Sequence, residues 1–415
     1  MEEKTEGGGF RPHSAIAAPA RGRQPAAGKN YRQINSEGNK SMKSIGKFLA
    51  ATSLAGSLLA ASSAFSAETI KIGVAGPMTG ANATFGEQVW TGASAYVNEV
   101  NAAGGIDGKQ IELVKGDDAC EPKQAVAVAN RFVDQDKVKA VVGHFCSSST
   151  IPASEIYADA GILTVTPSST NPIVTDRDLD TMFRTCGRDD QQAVVAGGFI
   201  LDTLKLDKVA LIHDKDTYGQ GLVDALKKTL AERGVEPVLY EGLTRGERDF
   251  NALVTKIKSS GATAVYFGGL IPEAGPLIRQ IHEQGLAVKF VSGDALAQTE
   301  IVSAAGGPQF LKDVYYSSAA DPKQDPDTAE AQEALKKANI APDNYTLFGY
   351  ASAQTIVAAL KGSNNGETEA QVDWLRNNAV KTAVGNLAWN EKGDVKDFKF
   401  VFYSFDDKGA PVAAN

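Results

Sequence analysis

Short apolar runs that alternate with segments of helical periodicity are the feature that most limits how this chain can fold. The first unit combines a strand marked by Ile70, Ile72 and Val74 with a helical face that ends at Gly104–Gly105. Further apolar runs of strand length occur at residues 111–113, 138–142, 162–166, 209–212 and 264–267. Consecutive strand–helix–strand units require parallel sheets with helices on both faces, so the pattern predicts an α/β fold.

The repeating units fall into two series. A polar stretch at Thr185–Asp190 interrupts the first series, and we interpret it as a crossover between two lobes. The second series includes a strand predicted at 235–240, and the chain is expected to return to the first lobe around Val314–Ala319. A final strand is predicted at 398–405. We therefore expect two doubly wound parallel-sheet lobes joined by a multi-strand hinge. Lobe 1 would comprise 68–188 plus about 318–398, and lobe 2 about 189–317 plus 399–415.

Length and charge narrow the class of partner. A chain of 415 residues is long enough for two domains with full cores. Its net charge of −8 argues against a nucleic-acid partner, because phosphate binding requires a basic face. Outside the N-terminal region no apolar run reaches the length of a membrane span, so membrane insertion is not expected.

The N-terminal region is predicted to be separate from the fold. Residues 42–67 begin with Lys43 and Lys47, continue through an apolar run and end in small residues, a pattern typical of a secretory signal peptide. Residues 1–41 have a Gly7–Gly9 run and scattered prolines but no apolar periodicity. We expect them to be disordered or non-native, with Met42 as the true start. The signal-peptide pattern therefore predicts an exported, periplasmic protein.

A candidate anion site follows the strand that begins at Ala140. The apolar run ends in the hydroxyl cluster Ser147–Thr150, and an Ala-rich helix follows with Pro152 in its first turn. The first N–H groups of a helix are unpaired and lie at the positive end of its dipole, which suits a carboxylate or phosphate. The alternative is an ordinary strand–helix turn in which the hydroxyls cap the helix.

Three loops together carry a family resemblance. DDACEPKQAVAVAN at 117–130, GHFCSSST at 143–150 and TPSST at 166–170 resemble the periplasmic leucine/isoleucine/valine-binding proteins of ABC importers, from about Thr69 to the C-terminus. The resemblance implies the type I binding-protein architecture, with three crossings between two lobes and an amino acid held between them. It also implies delivery to ABC permease subunits by a monomer that needs no cofactor.

The resemblance assigns roles at the two charged ends of a ligand. Ser147 and Thr170 would bond the α-carboxylate, with help from the backbone at Cys146. Ser168 would offer its main-chain carbonyl to the α-ammonium, and Asp294 of the other lobe would be its acidic partner. Leucine-type members have Glu at that last position. On local grounds alone, Asp294 is equally well explained as the cap of a helix.

The remaining assigned residues surround the ligand side chain. They are aromatic or apolar in the family and correspond here to Phe85, Phe145, Tyr218 and Tyr345. Leu270 departs from the pattern, because leucine-type members carry Tyr there. Leu supplies a smaller, wholly apolar wall, so a roomier and more tolerant pocket is expected.

The cysteines gain meaning in an oxidising compartment. The resemblance implies a Cys120–Cys146 disulfide, which leaves Cys186 buried and inert. A metal site is not expected, since there is no Cys-x-x-Cys and His144 and His213 are better explained as packed or capping residues.

Enzymatic motifs are missing from the sequence. It contains no Gly-x-Ser-x-Gly elbow and no phosphate-binding Gly-x-x-x-x-Gly-Lys-Ser/Thr loop, and the glycines at 73, 76 and 80 have the wrong spacing for a dinucleotide site. The sequence therefore indicates a binding protein for branched-chain or related aliphatic amino acids. The alternatives are a secreted amino-acid or amide sensor of the same fold and an exported hydrolase, which no motif favours.

Overall fold

The computed structural model describes residues 69–414. The segments predicted as an extension and as a signal peptide lie outside these described residues. Two parallel or mostly parallel sheets organise this part of the chain, and we call the sheets and the helices packed on them the first and the second lobe. Among residues 69–414, no helix combines the length and the apolar character that a membrane span needs.

The first lobe has a five-stranded, wholly parallel sheet with the spatial order β2-β1-β3-β4-β5. Its strands are β1 (Ile70–Gly76), β2 (Ile111–Asp117), β3 (Ala140–Val142), β4 (Leu163–Thr166) and β5 (Met182–Arg184). The helices that connect them are α1 (Ala83–Ala102), α2 (Pro122–Arg131) and α3 (Ser147–Asp159). The central strands β3 and β4 are buried throughout because helices cover both faces.

The second lobe begins with α4 (Asp189–Gly198), which follows the crossover, and contains a seven-stranded sheet. Its first five strands in chain order are β6 (Val209–His213), β7 (Leu239–Gly242), β8 (Ala264–Gly268), β9 (Lys289–Ser292) and β10 (Val314–Ala319). The intervening helices are α5 (Thr217–Glu232), α6 (Asn251–Ser260), α7 (Ile271–Glu283) and α8 (Glu300–Ala305). These strands run parallel to their neighbours, in the order β10-β9-β8-β6-β7.

The C-terminal part visits both lobes. The helices α9 (Ala329–Lys337), α10 (Asn344–Gly362) and α11 (Thr368–Asn377) precede a small hairpin of β11 (Val380–Thr382) and β12 (Gly385–Leu387). The chain then adds β13 (Phe400–Phe405) antiparallel to β10 and β14 (Pro411–Ala413) antiparallel to β13. Since α10 packs on α1 and the first sheet, the chain passes between the lobes three times.

Three strand predictions differ from the structure. The strand expected at 235–240 begins only at Leu239, beyond Pro237, which has no N–H for a ladder. The segment 314–319 pairs with β9 in the second sheet, so the chain returns to the first lobe after Ala319. The last strand begins at Phe400 rather than Phe398 and is followed by the unpredicted edge strand β14.

Glycines allow α1 and α10 to touch. A Cβ atom at Gly92 of α1 would lie 1.9 Å from the carbonyl oxygen of Thr346, and one at Gly349 of α10 would lie 2.5 Å from that of Val89. Both contacts are with backbone, which cannot swing aside as a side chain can. This close approach matters for function because the first turn of α10 carries Tyr345 and that of α1 carries Phe85.

We expect Gly92→Ala to lower the free energy of unfolding by about 1–3 kcal/mol, because the added methyl group forces α1 and α10 apart. Gly198→Ala is the matched control, since the nearest atom to its new Cβ is 3.8 Å away. The control should be neutral or slightly stabilising, as Ala generally is when it replaces a helical Gly. Urea denaturation of both variants measures the difference, and equal effects would contradict the close approach.

Candidate ligand-binding site between the two lobes

The N-terminus of α3 is open toward the cleft. Cys146, the residue before the helix, is extended, and no side chain caps the first turn. Ser147 begins the helix with its side chain almost wholly buried, and its hydroxyl accepts from the Asn171 N–H at 3.3 Å. The first N–H groups of α3 therefore have no side-chain acceptor and lie where the helix dipole is positive.

Hydroxyl groups hold the loop before α3 in shape. The carbonyl of His144 accepts hydrogen bonds from Thr166 Oγ1 at 2.7 Å, Thr150 Oγ1 at 3.1 Å and Ser169 Oγ at 3.2 Å. The Ser168 hydroxyl donates to the carbonyl of Phe145 at 2.9 Å. The Ser168 hydroxyl proton is thus used within the protein, so this side chain has no donor left for a ligand.

A buried histidine supports the same loop from behind. The Nδ1 atom of His144 lies 2.6 Å from Asp118 Oδ2, and its Nε2 lies 3.0 Å from the Tyr157 hydroxyl. All three side chains are fully buried, so His144 is a packed structural residue. The predicted disulfide between Cys120 and Cys146 is confirmed, and it ties the loop after β2 to the start of α3.

The third cysteine is free and buried, as predicted. Burial raises the pKa of the Cys186 thiol to about 12. The thiol is therefore protonated at neutral pH and inert as a nucleophile.

Asp294 forms the opposite wall. It follows β9 in the second lobe, is 8% exposed, and accepts hydrogen bonds from Tyr218 at 3.1 Å, Gln192 Nε2 at 3.3 Å and the Tyr345 hydroxyl at 3.4 Å. These donors are neutral, and no ion pair within residues 69–414 includes this carboxylate. Burial raises the pKa of Asp294, while the three donors oppose that shift.

Three aromatic rings close the site on the side of the first lobe. The ring centroids of Phe145 and Tyr345 are 4.7 Å apart, those of Phe85 and Phe145 are 4.8 Å apart, and those of Phe85 and Tyr345 are 5.6 Å apart. Edge-to-face contacts at these distances are favourable. The cluster is a preformed apolar wall against which a ligand side chain can pack.

One cavity joins most of the predicted site residues. Eight of them line it: Phe145, Cys146, Ser147, Ser168, Tyr218, Leu270, Asp294 and Tyr345. Phe85 instead packs behind Phe145. Thr170 is fully buried outside the lining, with its hydroxyl close enough to Asp189 to lower that carboxyl's pKa.

The cavity is narrow. The centre of a water-sized sphere can occupy only about 20 Å³ within it. That space suits one or two water molecules. Leu270 lies in the wall of this cavity, and the tolerance for different ligand side chains expected from it stays a prediction.

Two lining carboxylates escaped the sequence analysis. Asp214 is 2% exposed, its Oδ1 accepts from the Asp216 N–H at 3.0 Å, and burial raises its pKa to about 7. Asp216 pairs with Arg245 at 2.7 Å. Both follow the end of β6 directly, which is the same signal that revealed the loops of the first lobe.

Comparison with known proteins establishes the family. The sequence profile of the periplasmic binding proteins matches residues 69–410, and the chain belongs to this family. A Pseudomonas aeruginosa protein described as an amino acid binding protein is 59% identical over 340 residues, which cover 82% of this chain and 91% of that protein. A Leu/Ile/Val-binding protein homolog 1 from Brucella suis is 45% identical, with the same coverage of each chain.

Solved structures agree with the sequence comparison. The branched-chain amino acid transporter substrate-binding protein LivJ of Streptococcus pneumoniae, solved with isoleucine, superimposes with a TM-score of 0.76 at 27% identity. The match covers 84% of this chain and 99% of that one. The predicted fold, two α/β lobes of the type I binding-protein class, is thereby confirmed.

The disulfide gives a direct test of the loop arrangement. Thiol counting on denatured, unreduced protein should find one free thiol, that of Cys186. Reduction should cost about 3–4 kcal/mol of unfolding free energy in the chain-entropy model for a bridge of this span. Cys186→Ser, the control, should lower the thiol count to zero and leave the effect of reductant unchanged. Three thiols in the parent would rule out the bridge.

Proposed function

We propose that this protein is the periplasmic substrate-binding component of an ABC importer and that it captures a branched-chain or related aliphatic L-amino acid between its lobes. One observation carries the proposal: a single cavity has the uncapped N-terminus of α3 on one side and the cation-free carboxylate of Asp294 on the other. An amino acid supplies the two missing charges at once. We expect the protein to act as a monomer.

The first lobe suits the α-carboxylate. Backbone N–H groups at the start of α3 and the hydroxyl of Ser147 present donors in a partly positive environment. Hydrogen bonds to a charged acceptor are about twice as strong as neutral ones. No Lys or Arg lines the cavity in the described part of the chain, so helix N–H groups and hydroxyls would have to balance the carboxylate.

The second lobe suits the α-ammonium. A buried carboxylate without a cation is costly, and a ligand ammonium beside Asp294 would relieve that cost. Three neutral donors already hold the carboxylate in place, so it needs little reorganisation to receive the ligand. The backbone of Ser168 is the proposed second contact of the ammonium.

The side-chain end of the cavity suits aliphatic ligands, because Phe145, Leu270 and Tyr345 supply apolar surface. One methylene in such a pocket is worth about 1–3 kcal/mol, so a graded preference is expected. The relatives include a Leu/Ile/Val-binding protein homolog and a binding protein solved with isoleucine, which supports the same ligand class.

Contacts across the cleft indicate that the structure is the closed arrangement. Asn171 Nδ2 of the first lobe donates to the Thr217 carbonyl of the second at 3.0 Å, and Gln88 Nε2 donates to Gln298 Oε1 at 2.6 Å. Only a closed cleft offers the ligand both lobes at once, so binding favours closure. The leader pattern of residues 42–67 supports the proposed export to the periplasm.

A ligand panel tests the function. Calorimetric titration with L-alanine, L-valine, L-isoleucine, L-leucine, L-lysine and L-glutamate should show binding of the aliphatic members and none of the charged ones. Small-angle scattering should show the radius of gyration falling when a binding amino acid is added. If no aliphatic amino acid binds or contracts the protein, the proposed function is wrong.

Asp294→Asn separates a ligand contact from a structural role. The change keeps the size and some hydrogen bonding but removes the charge. Affinity should fall by about 2–4 kcal/mol, as for other buried charged hydrogen bonds. Asp313→Asn is the control, because Asp313 forms a surface pair with Lys289 in the same lobe and should not affect binding. Binding within about threefold of the parent, with a lower apo melting temperature, would show that Asp294 has only a structural role.

A further inference from the structure

In addition to Asp294 and Asp214, a third buried carboxyl lies beside the proposed site and has no cation as its partner. Asp189, the first residue of α4, is fully buried at the crossover between the lobes. Neither of its carboxyl oxygens makes a hydrogen bond of normal geometry with the described residues. Burial of a polar group without partners is costly, so an unpaired carboxyl here requires an explanation.

Hydrogen bonds made by α4 place Asp189 close to Thr170 of the first lobe and to Asp294 of the second. The N–H of Asp189 donates to the carbonyl of Thr170 at 2.9 Å. One turn later in α4, Gln192 Nε2 donates to Asp294 Oδ1 at 3.3 Å. Residues three apart lie on the same face of a helix. Asp189 therefore lies on the face of α4 that approaches Asp294.

The surrounding groups do not supply a cation. Those that affect its charge are Thr170 after β4, Asp294 after β9, Arg184 of β5 and its neighbour Asp190. Arg184, the only cation among them, is fully buried and bonded at 2.8 Å to Asp394. Its other donors bond the carbonyls of Ser169 and Asn171 and the Thr175 hydroxyl.

The pKa shifts of Asp189 and its neighbours agree with this geometry. Burial raises the pKa of Asp189 to about 8, and the nearby charge of Asp294 adds to the rise while the Thr170 hydroxyl opposes it. The charges of Asp189 and Asp294 also help to raise the pKa values of Tyr218 on α5 and Tyr266 on β8, after the larger effect of burial. The charges of these residues therefore influence one another's pKa values.

We propose that Asp189 is a second anionic partner of the ligand's ammonium, acting through the field behind Asp294, and that it gives up its proton when the ligand binds. The inference rests on the proposed function. Asp189 does not line the cavity, so it is a positioning residue rather than a contact. Without ligand its carboxyl is neutral. A bound ammonium stabilises the carboxylate, and the proton is released to water.

This proposal predicts a sign for the pH dependence. Ligand binding that releases a proton becomes stronger as pH rises, by up to about tenfold per pH unit, until the free protein has itself lost the proton. The gain should level off near pH 8, where free Asp189 ionises. Asp294 and Asp214, whose pKa values burial also raises, contribute their own dependence in the same direction. The contribution of Asp189 is therefore the difference between the parent and Asp189→Asn.

Proton counting tests the proposal. The parent, Asp189→Asn and Asp190→Asn are titrated calorimetrically with L-valine and L-alanine at pH 7 in phosphate and in Tris, whose ionisation heats differ. The parent should release about 0.5–1 proton more than Asp189→Asn. Affinities of the two should be similar at pH 5 and differ by about 10- to 100-fold at pH 8.5.

Asp190→Asn is the matched control. Asp190 is the next residue along, but its side chain is 51% exposed and pairs with Arg188 at 2.9 Å. Among the groups named above, Asp190 has the smallest effect on the pKa of Asp189, so this variant should bind ligand and release protons nearly as the parent does. Asp189→Asn should also not lower the apo melting temperature at pH 7, because it removes a buried group that resists ionisation.

The outcomes distinguish this inference from the proposed function. Equal proton release and parallel pH profiles for the parent and Asp189→Asn would show that Asp189 only begins a helix. If Asp189→Asn fails to fold, Asp189→Ala takes its place in the same comparison, and release near zero by the parent at pH 7 also overturns the proposal. If the parent binds neither probe nor any other amino acid of the panel, the proposed function fails and this inference fails with it.

Discussion

All parallel strands of a sheet end at the same edge, and the site depends on this geometric constraint. The loops after β3 and β4 meet at the edge of the first sheet, and those after β6, β8 and β9 meet at the edge of the second. Each loop can vary while the strands keep its ends in place. Two such edges that face each other give a cavity whose halves belong to different rigid bodies, which is what a closing trap requires.

The electrostatics of the cavity depend on the charged and polar groups of the loops that have no partner of opposite charge within the protein. Two basic side chains near the crossover form ion pairs with acidic residues. Arg184 pairs with Asp394, and Arg188 pairs with Asp176, Asp190 and Asp394. Asp214 and Asp294 of the second lobe form no ion pair with the described residues, and no side chain caps the helix N-terminus of the first lobe. Such groups destabilise the free fold and become favourable only with a ligand of complementary charge.

The sequence predicted the fold class and the site loops because both depend on local patterns. Apolar runs of strand length and hydroxyl clusters at strand ends are visible one segment at a time, as at Ala140–Thr150. The short edge strand β14 was missed because it is exposed and has no apolar pattern of its own. The narrowness of the cavity and the burial of Asp189 and Asp214 depend on packing between distant segments, which local patterns do not encode.

The contact between α1 and α10 at Gly92 and Gly349 has a consequence for how the trap works. It makes the two helices one mechanical unit, so Phe85 and Tyr345 stay together whatever the angle between the lobes. In the proposed opening of the cleft, Tyr345 would leave Asp294 while Phe85 stays beside it. The apolar recognition surface is therefore assembled during folding, and an arriving amino acid meets a template that is already ordered. The loss of side-chain freedom has then occurred before the encounter and does not weaken binding.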